Sequence, residues 1–144
     1  MKKMNKKGFT LIELLAVIVI LAIIMVIAVP QILEVINDSR TSAWKDNLGM
    51  IEKSIELNAS LIDPTTGSNK INLSTICPNS TATAVNLSAY VDIDSNQSIT
   101  CKQESGSYVF TVSGGSAGQF NGKTGTITCS SSNSCTSADT TASN

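Results

Sequence analysis

The stretch "KKGFTLIELLAVIVILAIIMVIAVP", Lys6 to Pro30, decides the reading of this chain. From Leu14 to Val29 it contains no polar side chain. With Phe9 to Glu13 added, the run reaches about 20 residues, or roughly 30 Å as a helix, the thickness of a bilayer core. A removable secretory signal fits less well, because the run exceeds the usual apolar core of about 7–15 residues. Glu13 also interrupts it. A carboxylate held in hydrocarbon costs several kcal/mol unless it finds a partner or a proton. No Lys, Arg or His lies between Gly8 and Gln31, so the helix supplies no counter-charge of its own. Either Glu13 snorkels to the headgroups, or its partner comes from another chain.

Charge and composition are segregated around this run. Of the ten basic residues, Lys2, Lys3, Lys6 and Lys7 precede it, and all eleven acids follow Gly8. A basic tip before an apolar run predicts a cytoplasmic N-terminus. Beyond Gly8, six basic face eleven acidic groups, a net charge of −5, which gives no electrostatic footprint for nucleic acid. The 144 residues allow one small domain plus one long element. Past Pro64 the chain is rich in Ser, Thr, Asn and Gly, so the core is thin and calls for cross-links or neighbours.

The motif Gly8-Phe9-Thr10-Leu11-Ile12-Glu13, with Lys6 and Lys7 before it and the apolar run after it, resembles the N-terminus of a type IV pilin. The resemblance covers about 30 residues. It implies that a membrane-embedded prepilin peptidase cuts between Gly8 and Phe9, removing 1–8 as a leader, and methylates Phe9. Glu13 then falls where the family carries its assembly glutamate, and Pro30 where many members carry a proline that kinks the helix. The implied partners are further copies in a helical filament, the peptidase, an assembly ATPase and a platform protein. The resemblance implies no cofactor. Implied locations are the membrane before assembly and an extracellular pilus after it, with motility, adhesion or aggregation as outputs. A pseudopilin or minor pilin of a competence or secretion system shares the same N-terminus. A monomeric membrane-anchored binding protein would instead keep Met1–Gly8.

The expected fold class is α+β, a long helix packed on a small antiparallel sheet in the manner of a pilin lollipop. Residues 9–30 form the membrane or filament-core half of one helix, and 31–62 its amphipathic continuation. Pro30 lacks an N–H and should kink the helix near Val26. Trp44, Leu48, Ile51, Ile55, Ala59 and Ile62 form a one-sided stripe at helical spacing. Arg40, Lys45, Asp46, Glu52, Lys53 and Glu56 form a charged outer face. Asp63-Pro64 ends the helix, and Gly49 within it marks close packing.

Residues 63–135 are expected to form a β-rich head. Strands are predicted at 70–76, 98–104, 107–113 and 124–129, with a tight turn at Ser105-Gly106. The glycine-rich stretch 114–125 reads as a loop with a turn at Asn121-Gly122. The segment 84–93 fits either a short helix or a loop. The polar tail 136–144 is expected to be disordered.

Cys77, Cys101, Cys129 and Cys135 fit no zinc spacing. An even number on the oxidising side of a membrane points to disulfides. Three pairings exist, of which Cys77–Cys101 with Cys129–Cys135 is preferred. Asp92, Asp94 and Asn96 open like a calcium loop, but Gln97 and Gln103 stand where that loop needs a glycine and an acid. No metal site is expected. With no histidine, no carboxylate pair and no activated thiol, the chain is not read as an enzyme.

Overall fold

The computed structural model describes residues 8–141. Residues 1–7, which hold the lysines of the expected leader 1–8, and residues 142–144 of the expected tail lie outside that range. The chain divides into two compact units, 1–39 and 40–144.

One helix, α1, runs from Leu11 to Ser60. Its apolar portion in the first unit is long and apolar enough to cross a membrane, and none of that window is buried by the chain itself. Leu11, Leu14, Ile18, Leu21 and Met25 all stay exposed. The helix is continuous through Pro30, where the missing N–H leaves the Val26 carbonyl without its usual donor.

In the second unit a five-stranded antiparallel meander follows the helix, in the order β1-β2-β3-β4-β5. The strands are β1 (Thr83–Val85), β2 (Ser98–Glu104), β3 (Ser107–Ser113), β4 (Thr124–Cys129) and β5 (Cys135–Asp139). Period-2 alternation places two rows inward, Ile99–Val112–Gly125 and Cys101–Phe110–Ile127, each in cross-strand register. The α1 stripe packs on these rows. Trp44, Leu48, Ile51, Ile55 and Ala59 are buried as their spacing predicts, and the Trp44 indole donates to the Thr124 carbonyl at 3.3 Å. A β-carbon at Gly125 would overlap the Leu48 side chain, so the glycine lets helix and sheet approach. Ile62, the expected sixth member of the stripe, is instead exposed, because the helix has ended at Ser60. Gly49 has open space where a β-carbon would stand, so close packing is not its reason.

The end of α1 is closed by the head rather than by Asp63-Pro64. Its last carbonyls would otherwise lack donors. Ile71 N–H donates to the Asn58 carbonyl, the Asn133 amide to that of Ala59, and Lys70 N–H to that of Leu61. This use of Lys70 and Ile71 corrects the strand expected at 70–76. Beyond them a one-turn helix, α2 (Leu73–Ile76), is capped by Asn72, whose side chain accepts from Thr75 N–H. A local cap outcompetes the β-propensity of an isolated apolar alternation. The undecided segment 84–93 begins in β1 and then turns at Asn86, with Leu87 and Val91 buried.

The turn at Ser105-Gly106 is as read: both residues have positive φ, 51° and 81°, the signature of a two-residue type I′ hairpin. The loop expected at 114–125 holds over 114–123, with Asn121-Gly122 inside it, while Thr124 and Gly125 open β4. Gly115, at φ 77°, runs so close to the Asn96 carbonyl that no side chain fits.

The tail expectation is corrected. Cys135 to Asp139 is ordered as β5, paired along β4 from Gly125↔Asp139 to Cys129↔Cys135. Only Cys135 of this strand is buried. A polar edge strand earns its place through ladder hydrogen bonds and a covalent tie, neither of which shows in hydrophobicity.

Candidate functional site

The candidate site is the start of α1. Thr10 is the last non-helical residue before Leu11, and its carbonyl accepts from Glu13 N–H at 3.1 Å and Leu14 N–H at 3.3 Å. The Glu13 side chain folds back over this turn. Its Oε2 accepts from Thr10 N–H and from the Thr10 hydroxyl, both at 3.0 Å, while Thr10 Oγ1 accepts from Glu13 N–H at 3.4 Å. This is a reciprocal capping box, T-x-x-E, satisfying donors that a helix start leaves orphaned. The carboxylate also sits where the helix dipole favours negative charge.

The local geometry revises the reading of Glu13. The helix lacks a counter-charge, yet it does supply a partner, an uncharged one, in Thr10. The signal for Thr10 was legible as Thr and Glu three residues apart before an apolar run. Attention to charged partners alone passes over it.

Gly8 and Phe9 precede the helix. Gly8 is exposed with nothing within 4 Å of a β-carbon position, so no contact among the described residues explains a glycine there. Phe9 is 86% exposed, its peptide bond to Gly8 open to solvent or lipid. Glu13 lies one turn away on the same end of the helix. Pro30 is five turns further along and takes no part in this cluster.

A family pattern described as the prokaryotic N-terminal methylation motif matches residues 3–29. Its span contains Gly8, Phe9, Thr10 and Glu13 and ends as the unbroken apolar run ends. The chain is type IV pilin-like. No curated protein matches it, and no solved structure does. The prepilin motif implies processing by a prepilin peptidase and handling by a pilus-type assembly machinery. Together with the apolar helix it fits a membrane-anchored precursor and points to a structural, non-enzymatic role.

The head of this pilin-like chain carries the four cysteines as two bridges. Cys77–Cys101 ties α2 to β2 with Cα atoms 5.4 Å apart, and Cys129–Cys135 ties β4 to β5 at 4.0 Å. These are the preferred pairings, and all four residues are buried. Among the described residues no group of three or more His, Cys, Asp or Glu side chains could hold a metal ion. Asp94 Oδ1 is engaged by Asn96 N–H and by the Asn96 amide, at 3.0 and 3.2 Å. Gln97 donates to Asn47 at 2.7 Å and accepts from Asp94 N–H at 3.0 Å. Gln97, the one buried polar residue of this otherwise largely exposed stretch, thus links the loop to α1.

Proposed function

We propose that the chain is the structural subunit of an extracellular type IV pilus. The observation that carries this reading is the exposure of the whole apolar portion of α1 directly behind the motif. A fold that leaves so many large apolar side chains uncovered needs lipid at one stage and similar helices at another. Passing from lipid to a bundle of like helices changes the surroundings of these side chains little, so the helix can occupy both.

Cleavage after Gly8 converts the Phe9 nitrogen from an uncharged amide into an amine, a cation in the same layer as Glu13. The amine of one subunit then pairs with Glu13 of a neighbour. Glu13 keeps its Thr10 bonds through Oε2, and the carboxylate's remaining acceptor capacity serves the incoming ammonium. Losing one member of such a dry pair costs about 3–5 kcal/mol. Processing therefore acts as a licence for assembly, since only a cut subunit holds both halves of the contact. Methylation of Phe9 keeps the cation and adds apolar surface. Motor force comes from a cytoplasmic ATPase acting through a platform protein, and the filament serves motility, adhesion or aggregation.

The test is the intact mass of subunits from surface filaments sheared off cells. The proposal expects abundant protein beginning at Phe9 with one added methyl group and both disulfides. Near absence from sheared filaments would favour a pseudopilin or minor pilin. A chain recovered only from membranes and beginning at Met1 would point to a monomeric anchored protein.

A further inference from the structure

Asn121-Gly122 is the chain's single Asn-Gly pair, and the loop 114–123 presents it to solvent. Other asparagines of the head are tied down. Asn47, Asn58, Asn72, Asn86, Asn96 and Asn133 each hold a hydrogen bond through the side-chain amide group. Asn121 is exposed, and among the described residues nothing bonds its side chain. Gly122 has open space where a β-carbon would stand, so no side chain of its own shields the backbone nitrogen that follows Asn121.

The backbone of the pair is held, in contrast to the side chain. Lys123 N–H donates to the Phe120 carbonyl at 3.0 Å. This closes a turn in which Gly122, at φ 73°, takes the place that a type II turn reserves for glycine. Gly122 N–H itself donates across the loop to the Gly115 carbonyl at 3.2 Å. The loop is also pinned on α1. The Phe120 ring lies 5.2 Å from that of Trp44, and the Lys123 ammonium donates to the Thr41 hydroxyl at 3.0 Å.

We propose that Asn121 is a self-modification site whose rate the loop's own hydrogen bonds control. Asparagine is a thermolabile side chain. The Gly122 nitrogen gives up its proton and attacks Asn121 Cγ. An N–C bond forms, the bond from Cγ to the side-chain nitrogen breaks, and ammonia leaves carrying that proton. Water then opens the resulting succinimide at either carbonyl, giving aspartate or isoaspartate with no change in oxidation state. The nitrogen cannot attack while its N–H is given to Gly115, so the reaction runs through local opening of the loop. The product adds one negative charge two residues from Lys123, and the isoaspartate form lengthens the backbone by one methylene inside the turn. Both changes act beside Phe120 and Lys123, the residues that pin the loop to α1. This chemistry needs only the head and is independent of the filament reading above.

The test incubates the full chain in detergent at mildly alkaline pH, in water enriched in heavy oxygen, and maps the label by peptide mass. One arm is folded, one is unfolded in urea, and a third is folded Asn121→Gln, whose longer side chain disfavours the ring. The proposal expects one heavy oxygen at residue 121 of the folded chain, ahead of every other asparagine. Its rate should be roughly tenfold or more below that of the unfolded arm. Asn121→Gln should stay unlabelled at that position. Trp44 emission should drift as the folded chain converts and hold steady in Asn121→Gln. No label at 121 in the folded chain, or earlier label at another asparagine, overturns the site. Equal rates in the two wild-type arms overturn the control by the loop. Label in Asn121→Gln at the wild-type rate overturns ring closure by Gly122, and steady emission at full conversion overturns the effect on α1.

Discussion

The two disulfides differ in what their removal should cost, and the difference follows from where they close the chain. Cys77–Cys101 closes a separation of 24 residues, whereas Cys129–Cys135 closes 6. On the loop-entropy relation the first restricts the unfolded chain by about 3.5 kcal/mol at 25 °C and the second by about 2 kcal/mol. All four sulfurs lie in the core, so paired replacement by alanine avoids burying new hydroxyls and adds a similar cavity cost in each case. The assay is urea unfolding of the full chain in detergent, followed by Trp44. This single tryptophan is fully buried, and its ring lies 5.2 Å from that of Phe120. Cys77→Ala/Cys101→Ala should lose about 1–1.5 kcal/mol more than Cys129→Ala/Cys135→Ala. Equal losses, or the reverse order, would refute the reasoning. They would show that β5, with one buried residue, depends on its bridge for more than chain entropy.

Other outcomes follow from single positions. Ser105 holds φ 51° before Gly106, and Ser105→Asn, which suits a type I′ turn, should stabilise the head by about 0.5–1 kcal/mol in the same unfolding assay. Asn133 combines φ 64° with its amide bond to the Ala59 carbonyl, so Asn133→Gly should lose about 1 kcal/mol and Asn133→Ala about 1 kcal/mol more. Acid should weaken the head through carboxyls held low in the folded state: Glu56 (bonded by the Lys53 ammonium), Asp63 and Asp139. Asp63 is held below its ordinary range by the Thr65 hydroxyl and N–H. Burial works to raise Asp139, but bonds from Thr141 and the fields of Lys123 and Lys45 outweigh it and leave it lowered. A lowered folded carboxyl contributes stability that is fully present above the ordinary value near 4 and lost as pH falls through the lowered one. Unfolding midpoints should therefore be flat between about pH 5 and 7 and drop below about pH 4, with a shallower drop in Asp139→Asn.

Legibility in the sequence varied with the kind of physics that fixes each element. Strong periodicity carried the helix, its sheet-facing stripe from Trp44 to Ala59 and the β2–β3 hairpin with its Ser105-Gly106 turn, because burial and turn sterics act directly on residue type. Elements held by backbone partners were harder to read. The 70–76 segment looks like a strand until Asn72 caps it and α1 takes the N–H groups of Lys70 and Ile71. Strand β5 looks like a tail, since its ladder and bridge leave no hydrophobic trace. At the candidate site Gly8, Phe9 and Glu13 stand out by motif and by the cost of a carboxylate in an apolar run. Thr10 is no less readable, but only when hydrogen-bond donors are weighed along with charges.

The most direct test of the account is the entry of Glu13→Ala subunits into filaments, measured against wild-type chains in the same cells. With the capping box intact in neighbours and the Phe9 amine left without its acid, incorporation should fall by roughly 10²-fold or more. Cleavage after Gly8 should proceed, since Glu13 lies beyond the cut bond. Glu13→Ala subunits entering filaments at the wild-type ratio would contradict the account.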